Sequence, residues 1–259
     1  MLVPTMGALH AGHGALIQRA RKLVGARGTV VVSIFVNPTQ FGPKEDLSRY
    51  PRPFAADVKL ARECGADAIF HPAPDAMYPE GFSTFVNEHA VSKNLCGTSR
   101  PGHFRGVCTV VLKLFTITQP DVAVFGRKDF QQCQVIARMV RDLDVPVRLV
   151  FAETVRERDG LALSSRNAYL APDERAQAPL LRRALLAARA AFRKGERSAA
   201  KLRRIAEKQI ASAPLARVDY IEIVDTDSLA PVRVVKRNAT LALAVFFGTT
   251  RLIDNVQLR

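Results

Sequence analysis

The chain has 259 residues, of which 48% are hydrophobic, and a formal net charge of +14. This length and apolar content suit one large or two smaller folded domains and exclude a disordered chain. No apolar run reaches the ~18 residues of a membrane span, and the first residues lack the basic start and apolar core of a signal peptide. We therefore predict a cytoplasmic protein without a membrane partner.

Cysteine spacing and charge distribution give information on the cellular compartment and on possible binding partners. The four cysteines contain no CxxC pair, which favours packing residues in a reducing compartment over a zinc site or a disulfide framework. Basic residues are concentrated between positions 182 and 208, a pattern typical of the solvated faces of helices. Binding of anionic substrates and binding of nucleic acid are the two other interpretations. The cysteines are Cys64, Cys96, Cys108 and Cys133.

Strand-like and helix-like segments alternate through residues 1 to 152. The nearly continuous apolar run TVVVSIFV (29–36) is typical of a parallel strand buried on both faces. Residues 106–118 predict a buried helix, although their β-branched residues also suit a strand, and residues 84–88 predict a short strand. The other predicted strands are 2–5, 66–70, 121–125 and 145–152, and the other predicted helices are 14–24, 54–64 and 129–143.

The pattern changes after residue 152. A turn-rich stretch leads into two helical segments and then two strand-like runs, which is typical of a small α+β domain. We therefore predict an α/β domain with a mostly parallel sheet over residues 1–152 and a smaller α+β domain over residues 153–259. The predicted helices of the second domain are 172–194 and 198–212, and its predicted strands are 216–225 and 239–247.

The segment TMGALHAGH (5–13) joins the first predicted strand to the first predicted helix. Ligands of open α/β sheets bind at the carboxyl ends of strands, and a helix N-terminus offers unpaired N–H groups to an anion. His10 and His13 can donate hydrogen bonds to phosphate oxygens there. Alternatively, His10 caps or packs while His13 lies on the surface. A zinc site is the third interpretation, but no further cluster of ligands accompanies the two histidines.

The HxGH pattern in this segment resembles the nucleotide-binding signature of HIGH-type nucleotidyltransferases and class I aminoacyl-tRNA synthetases. Further segments in the same order resemble the pantothenate synthetase (pantoate–β-alanine ligase) family, from residue 2 to RLIDN near the C-terminus. These segments are SIFVNPTQFGPKEDLSRYPR (33–52), RPGHFRGV (100–107), VFGRKDFQQ (124–132) and DGLALSSRNAYL (159–170).

The resemblance implies a Rossmann-like doubly wound parallel sheet over residues 1–152, which binds nucleotide and pantoate. It also implies a smaller C-terminal α+β domain over 153–259, which carries SSRN as a KMSKS-like loop. In that family, ATP adenylates pantoate and releases pyrophosphate, and β-alanine then attacks the pantoyl adenylate to give pantothenate and AMP. The resemblance further implies Mg²⁺ as a cofactor and a homodimer.

Site residues follow from the resemblance position by position. His13 matches the general acid, His10 joins it at the phosphates, and Asp129 takes ribose hydroxyls or a metal. Gln40 and Gln132 match the glutamines that hold pantoate, Gln40 being also near β-alanine. Catalytic roles are implied for His10, His13, Lys128 and Arg166. ATP contacts are implied for Met6, Gly7, Ala8, Leu9, His10, Ala11, Gly12, His13, Gly126, Arg127, Lys128, Asp129, Val155, Leu163, Ser164, Ser165 and Arg166.

The sequence departs from the family pattern at a few positions. Members usually have a helix and a longer first strand before VPTMG, so we expect weaker support of the sheet edge and of the ATP loop. The family often has an acid where Arg127 stands, which favours a backbone contact there. Cys133 replaces an aliphatic residue and is expected to pack. His103 and Arg105 are expected to reach the β-alanine carboxylate or phosphates, or to hold a loop.

Two other functions compete with this interpretation. Another HxGH nucleotidyltransferase would use a phosphorylated substrate and no second amine, and the two glutamine motifs favour the ligase. An RNA-binding protein is suggested by the charge of +14, but aromatic residues make up 7% of the chain and tryptophan is absent. That composition disfavours base-stacking surfaces, so we predict no nucleic-acid partner.

Overall fold

The computed structural model describes residues 1–43, 45–236 and 238–259. The chain divides into two compact units. The first unit comprises Met1–Arg127 and Gln131–Thr154, and the second comprises Lys128–Phe130 and Val155–Arg259. Within the described residues, every helix is too short or too polar to cross a bilayer.

A five-stranded parallel sheet in the order β3-β2-β1-β4-β5 forms the centre of the first unit. The register between β1 and β2 runs from Leu2 opposite Val31 to Thr5 opposite Ile34, and β1 pairs with β4 on its other side. The predicted parallel sheet is confirmed. The strands are β1 (Leu2–Thr5), β2 (Val31–Ile34), β3 (Ala68–Phe70), β4 (Val122–Gly126) and β5 (Arg148–Ala152).

Six α-helices in the described residues accompany this sheet. The apolar segment 106–118 lies within the helix His103–Thr118. Ten of the sixteen residues of this helix are buried, so most of its circumference is covered by other parts of the protein. The α-helices are α1 (Ala11–Val24), α2 (Phe54–Glu63), α3 (Pro74–Met77), α4 (Cys96–Ser99), α5 (His103–Thr118) and α6 (Phe130–Asp142). Short 3-10 helices span Pro38–Gln40 and Arg127–Asp129.

The predicted strand over residues 84–88 is wrong, because that segment has no regular secondary structure. Its Val86 N–H donates to the hydroxyl of Thr109 on α5, at 3.0 Å, instead of to a strand. A side-chain acceptor thus replaces the ladder that the alternating pattern predicted.

β1 is the central strand and has neighbours on both sides. The α-amino group of Met1 donates to the carbonyl of Thr29 at 2.6 Å, and the carbonyl of Met1 accepts from Val31. Helix α1 packs its Leu16 and Ile17 against the apolar residues of this sheet. The expectation of a weakly supported sheet edge before the loop is therefore wrong, because no edge lies there.

The second unit has an antiparallel sheet in the order β6-β7-β8 with helices beside it. Segment 172–194 contains two helices, because Pro179, which lacks an N–H, interrupts the hydrogen-bond ladder and precedes α8. The sequence did not predict β8. The helices are α7 (Pro172–Gln177), α8 (Leu180–Arg193) and α9 (Ala199–Ile210), a 3-10 helix spans Ser165–Tyr169, and the strands are β6 (Ala216–Asp225), β7 (Ala239–Phe247) and β8 (Thr250–Leu258).

The basic residues of 182–208 lie mostly on the outer faces of α8 and α9. Arg183, Arg193 and Arg204 are exposed, whereas Leu185 and Leu202 of the same helices are fully buried. The interpretation of this charge as solvated helix surface is confirmed for these residues.

Candidate active site

Three loops of the first unit begin at the carboxyl ends of β1, β2 and β4, which are adjacent in the sheet. Carboxyl ends of neighbouring parallel strands share one edge of the sheet. The chain leaves β1 toward β2 on one side, whereas β4 lies on its other side, so β1 and β4 flank the topological switch point where ligands of such sheets bind. A contact joins two of the loops directly, since Gln40 Nε2 lies 2.9 Å from Met6 Sδ.

The loop after β1 turns sharply through two left-handed residues. Gly7 has φ +82° and Ala8 has φ +49°. A side chain at Gly7 would be strained by this φ, and its Cβ would lie 2.9 Å from a carboxylate oxygen of Asp57. Glycine is therefore required at position 7 by both the backbone conformation and the close approach of a neighbouring helix.

Asp57 of α2 holds this loop in place. Its carboxylate accepts from the N–H of Ala8 at 2.9 Å and from the N–H of Leu9 at 2.7 Å, and only 2% of the residue is exposed. Thr5 assists by accepting from the N–H of Gly7 at 3.2 Å. Sequence reasoning missed Asp57. The available signal was its place four residues before Ala61, on the face of α2 that is buried.

His10 and His13 form a reciprocal cap at the start of α1. His10 Nδ1 accepts from the N–H of Gly12 at 3.1 Å, and His13 Nδ1 accepts from the N–H of His10 at 3.3 Å. The two ring centroids lie 4.1 Å apart. Because each Nδ1 accepts an N–H, each neutral ring carries its proton on Nε2 and presents a donor there.

Capping and anion binding are thus compatible at this helix start. The interpretation of His10 as a cap is confirmed, and His13 is half-buried. The first turn of α1 contains no acidic residue, so nothing there opposes the positive end of the helix dipole. Ala11 and Gly12 complete this first turn.

No group of three or more His, Cys, Asp or Glu side chains that could hold a metal occurs in the described residues.

Cys133 is buried and its thiol approaches the carbonyl of Gly126 at 3.4 Å, which confirms the predicted packing role. Burial raises the pKa of Cys108 to about 12, so this thiol stays protonated at neutral pH.

Gln40 lies in the 3-10 helix after β2 and is 8% exposed. Its Oε1 accepts from Asn37 Nδ2 at 3.1 Å. Asn37 in turn accepts from the hydroxyl of Tyr78 at 2.8 Å and donates to the carbonyl of Gly106 at 3.1 Å. The sequence did not identify Asn37 or Tyr78 as supports of Gln40, because Tyr78 and Gly106 are distant from it along the chain.

The two adjacent glutamines of DFQQ differ in their surroundings. Gln131 is buried and holds the preceding loop by donating to the carbonyls of Val91 and Asn94 and by accepting from the N–H of Cys96. Gln132 is half-buried, and no hydrogen bond to its side chain occurs among the described residues. Gln131 therefore holds the loop, and the role of Gln132 in binding pantoate stays a prediction of the resemblance.

His103 and Arg105 hold structure around the loops. His103 is 8% exposed, and its Nδ1 lies 2.9 Å from the carbonyl of Gln40. The guanidinium of Arg105 lies over the ring of Phe85, 3.7 Å from its centroid. These contacts favour the structural alternative for both residues over contact with a substrate carboxylate.

Gly126 ends β4, and Arg127 follows it in a 3-10 helix. The side chain of Arg127 donates from Nε to the carbonyl of Phe151 at 3.3 Å and approaches Glu153 at 3.5 Å. The side chain of Arg127 is thus directed along β5, and the backbone contact expected at this position stays a prediction.

In the second unit, a tight antiparallel turn joins two of the predicted positions. The N–H of Leu163 donates to the carbonyl of Val155 at 3.0 Å. Arg156, in the same turn, binds the carboxylate of Asp254 on β8 with two hydrogen bonds of 2.7 and 2.9 Å. Asp254 is 3% exposed, so the buried ion pair fixes the turn on the sheet.

The SSRN segment follows this turn and is held by its own side chains. Ser164 caps the 3-10 helix Ser165–Tyr169 by accepting from the N–H of Arg166 at 3.3 Å. Asn167 Nδ2 donates to Glu157 at 2.8 Å and to the carbonyl of Ala162 at 3.1 Å. The segment is therefore anchored through Asn167, the one residue of SSRN to which the resemblance assigned no role.

Lys128 and Asp129 lie in the 3-10 helix Arg127–Asp129 and cluster with the second unit. The carbonyl of Lys128 accepts from Asn255 Nδ2 of β8 at 3.0 Å. This contact holds the backbone of Lys128 and does not involve its ammonium group.

Comparisons with known proteins agree over nearly the whole chain. A sequence profile described as pantoate-beta-alanine ligase matches residues 1–257. Pantothenate synthetase of Moorella thermoacetica is 54% identical over 257 residues, which cover 99% of this chain and 90% of that protein. The corresponding protein of Akkermansia muciniphila is 52% identical over 258 residues, which cover 100% and 92%.

Solved structures give the same result. Pantothenate synthetase from Thermus thermophilus has a TM-score of 0.95 and 49% identity, and the match covers 99% of this chain and 92% of that one. Pantoate-beta-alanine ligase from Francisella tularensis, complexed with beta-gamma ATP and beta-alanine, has a TM-score of 0.79 and 33% identity, with 99% and 88% covered. The Rossmann-like fold with a smaller C-terminal domain is thereby confirmed.

We predict that Asp57→Ala loosens the loop after β1, since two N–H groups lose a charged acceptor. The free energy of unfolding should fall by on the order of 2–3 kcal/mol, and the amide hydrogens of Ala8 and Leu9 should exchange faster by mass spectrometry. Asp57→Asn keeps one acceptor oxygen, so its free energy of unfolding and its exchange rates should lie between those of the wild type and of Asp57→Ala. Asp75→Ala is the control, because this exposed carboxylate accepts from the N–H of its neighbour Ala76 and lies outside the loop after β1. Unchanged exchange at Ala8 and Leu9 in Asp57→Ala would contradict the assignment.

Proposed function

The chain belongs to the pantoate–β-alanine ligase family, and we propose that it condenses pantoate with β-alanine to pantothenate at the expense of ATP. The observation that carries the proposal is the capped histidine pair at the carboxyl end of the central strand, in a chain that matches the family over residues 1–257. The family match favours the ligase over the two rival functions, another HxGH nucleotidyltransferase and an RNA-binding protein.

The reaction has two steps. A carboxylate oxygen of pantoate attacks the α-phosphorus of ATP, which forms pantoyl adenylate and releases pyrophosphate. The amine of β-alanine then attacks the acyl carbon, which forms the amide and releases AMP, while the ammonium proton is lost to solvent. The first step needs donors that follow the negative charge moving onto pyrophosphate.

The loop after β1 and the start of α1 supply such donors. The Nε2–H groups of His10 and His13 are set by the tautomers that the cap enforces. The first turn of α1 adds the positive end of its dipole. His13 is the general acid that the resemblance implies: in the capped tautomer its Nε2–H donates a hydrogen bond to the leaving pyrophosphate, and full proton transfer requires the imidazolium form, because a neutral ring would be left as imidazolate.

Gln40 and Gln132 hold pantoate. An amide side chain both donates and accepts, which suits a ligand with two hydroxyls and a carboxylate. Gln40 Oε1 is oriented by Asn37, so its amide enters the reaction already positioned. Gln40 also contacts β-alanine in the second step.

The second unit contributes ATP-binding groups in this proposal. Lys128 and Arg166 neutralise the triphosphate, Ser164 and Ser165 donate hydroxyl hydrogen bonds, and the backbone of Val155 contacts the adenine. Leu163 continues the segment that carries these serines. Asp129 takes the ribose hydroxyls or a metal.

Mg²⁺ fits these groups as a partner of ATP rather than as a protein-held ion. No cluster of three acidic or imidazole side chains occurs in the described residues, and Mg²⁺ commonly takes phosphates and water with one or two carboxylates. Asp129 can supply that carboxylate, and the ion supplies charge neutralisation of the triphosphate when bound. We also propose that the protein is cytoplasmic and forms a homodimer. Light scattering tests the dimer.

Isotope exchange tests the proposed function. Purified protein with ATP, pantoate and labelled pyrophosphate should incorporate label into ATP, because adenylation is reversible and needs no β-alanine. AMP should accumulate continuously only when β-alanine is added. Absence of pantoate-dependent exchange in folded protein would overturn the proposal.

We predict that His13→Gln lowers the maximal rate of this exchange about 100-fold or more. Glutamine at this position can keep the reciprocal cap, so the loss reports on the imidazole proton and not on the fold. His13→Ala should lose the cap as well and about 1 kcal/mol of stability. His89→Gln, at an exposed histidine of the same unit, should leave the rate unchanged. A folded His13→Gln variant with a near wild-type exchange rate would contradict the role.

A further inference from the structure

The backbone of Gln40 is held by a chain of charged and buried side chains. Its carbonyl accepts from His103 Nδ1 at 2.9 Å and from Arg100 Nη2 at 3.4 Å. Both Gln40 and His103 are 8% exposed. Since the side chain of Gln40 also contacts Asn37 and Met6, this residue is fixed at its backbone and at its amide.

The tautomer of His103 follows from its second contact. Arg100 Nη1 lies 3.0 Å from His103 Nε2. A guanidinium has donors only and stays protonated, so Nε2 must accept and the ring proton must reside on Nδ1. His103 therefore donates to the carbonyl of Gln40, and this arrangement is set by Arg100.

Arg100 is itself fixed by Glu45. Two hydrogen bonds of 2.7 and 2.6 Å join the guanidinium to both carboxylate oxygens. Burial alone would raise the pKa of Glu45, but the hydrogen bonds and charge of Arg100 outweigh it and hold that pKa below its usual value. The pair thus stays ionised and oriented at neutral pH.

Gly106 allows the helix that carries His103 to approach Gln40. A Cβ at Gly106 would lie 2.4 Å from the carbonyl oxygen of Thr39 and 2.7 Å from the Cα of Gln40. The backbones of α5 and of the 3-10 helix Pro38–Gln40 are therefore closer than any side chain at position 106 permits. His103 lies three residues before Gly106 on α5, and this close approach brings its ring within hydrogen-bond distance of the carbonyl of Gln40.

We propose that His103 is a positioning residue that fixes Gln40 for pantoate, acting through the carbonyl of Gln40 and oriented by Arg100 and Glu45. Both ring nitrogens of His103 have protein partners, so it acts through Gln40 and does not contact the substrate. This inference rests on the proposed function, in which Gln40 binds pantoate.

Pantoate-dependent pyrophosphate exchange tests the inference in the wild-type protein and three variants. His103→Leu removes the donor at similar size and should raise KM for pantoate about tenfold or more, the effect of one lost hydrogen bond to a binding group. KM for ATP should change less than about twofold. His103→Asn, whose amide can reproduce the Nδ1 donor, should restore KM for pantoate to within about threefold of wild type.

His71→Leu is the matched control. His71 Nδ1 lies 2.6 Å from the carbonyl of Ile34, and its ring stacks on Phe54. The variant removes the same kind of histidine–carbonyl contact from the same unit without touching Gln40. Its KM for pantoate should stay within about twofold of wild type.

The outcomes separate the inference from the proposed function. An unchanged KM for pantoate in folded His103→Leu, or equal rises for ATP and pantoate, would overturn the positioning role while wild-type exchange still supports the function. If His103→Leu fails to fold by circular dichroism, Arg100→Met leaves the imidazole in place and should raise KM for pantoate selectively. An unchanged KM there would also overturn the role, and no exchange in the wild type would overturn both.

Discussion

The buried carboxylate of Asp57 is the contact on which the geometry of the candidate site depends. It accepts from two consecutive N–H groups of the loop after β1, at Ala8 and Leu9. That loop bends through left-handed backbone at Gly7 and Ala8, a conformation that a non-glycine residue adopts at some cost. A charged acceptor offsets this cost and sets the direction in which the chain enters α1.

The histidine pair at the start of α1 has a structural role in the fold and a chemical role in the proposed function. Each Nδ1 of His10 and His13 caps the helix, which assigns the proton to Nε2 in both rings. In the proposed function these Nε2–H groups face the phosphates, and donors oriented before the reaction cost no reorientation during it. Gln40 is likewise positioned by its surroundings, because neighbouring side chains hold both its backbone and its amide.

Local patterns predicted the parts of the structure that depend on local sequence. The strand–loop–helix around TMGALHAGH and the bounds of β6 and β7 are visible as apolar periodicity and turn residues. The resemblance to a family supplied the site residues, which no spacing alone identified. Asp57 was missed because its partners are 48 and 49 residues away. Gln131 and Gln132 are adjacent and identical in type. Only their packing distinguishes Gln131, which holds a loop, from Gln132, which is proposed to bind pantoate.

The central claim is that the carboxylate of pantoate attacks the α-phosphorus of ATP. Pantoate with ¹⁸O in both carboxylate oxygens, ATP and β-alanine should be converted by the wild-type protein, and the products analysed by mass spectrometry. Attack at the α-phosphorus moves one carboxylate oxygen to the nucleotide, so AMP should carry one ¹⁸O and pyrophosphate none. Unlabelled AMP with ¹⁸O in pyrophosphate, or ADP with ¹⁸O in orthophosphate, would contradict the account.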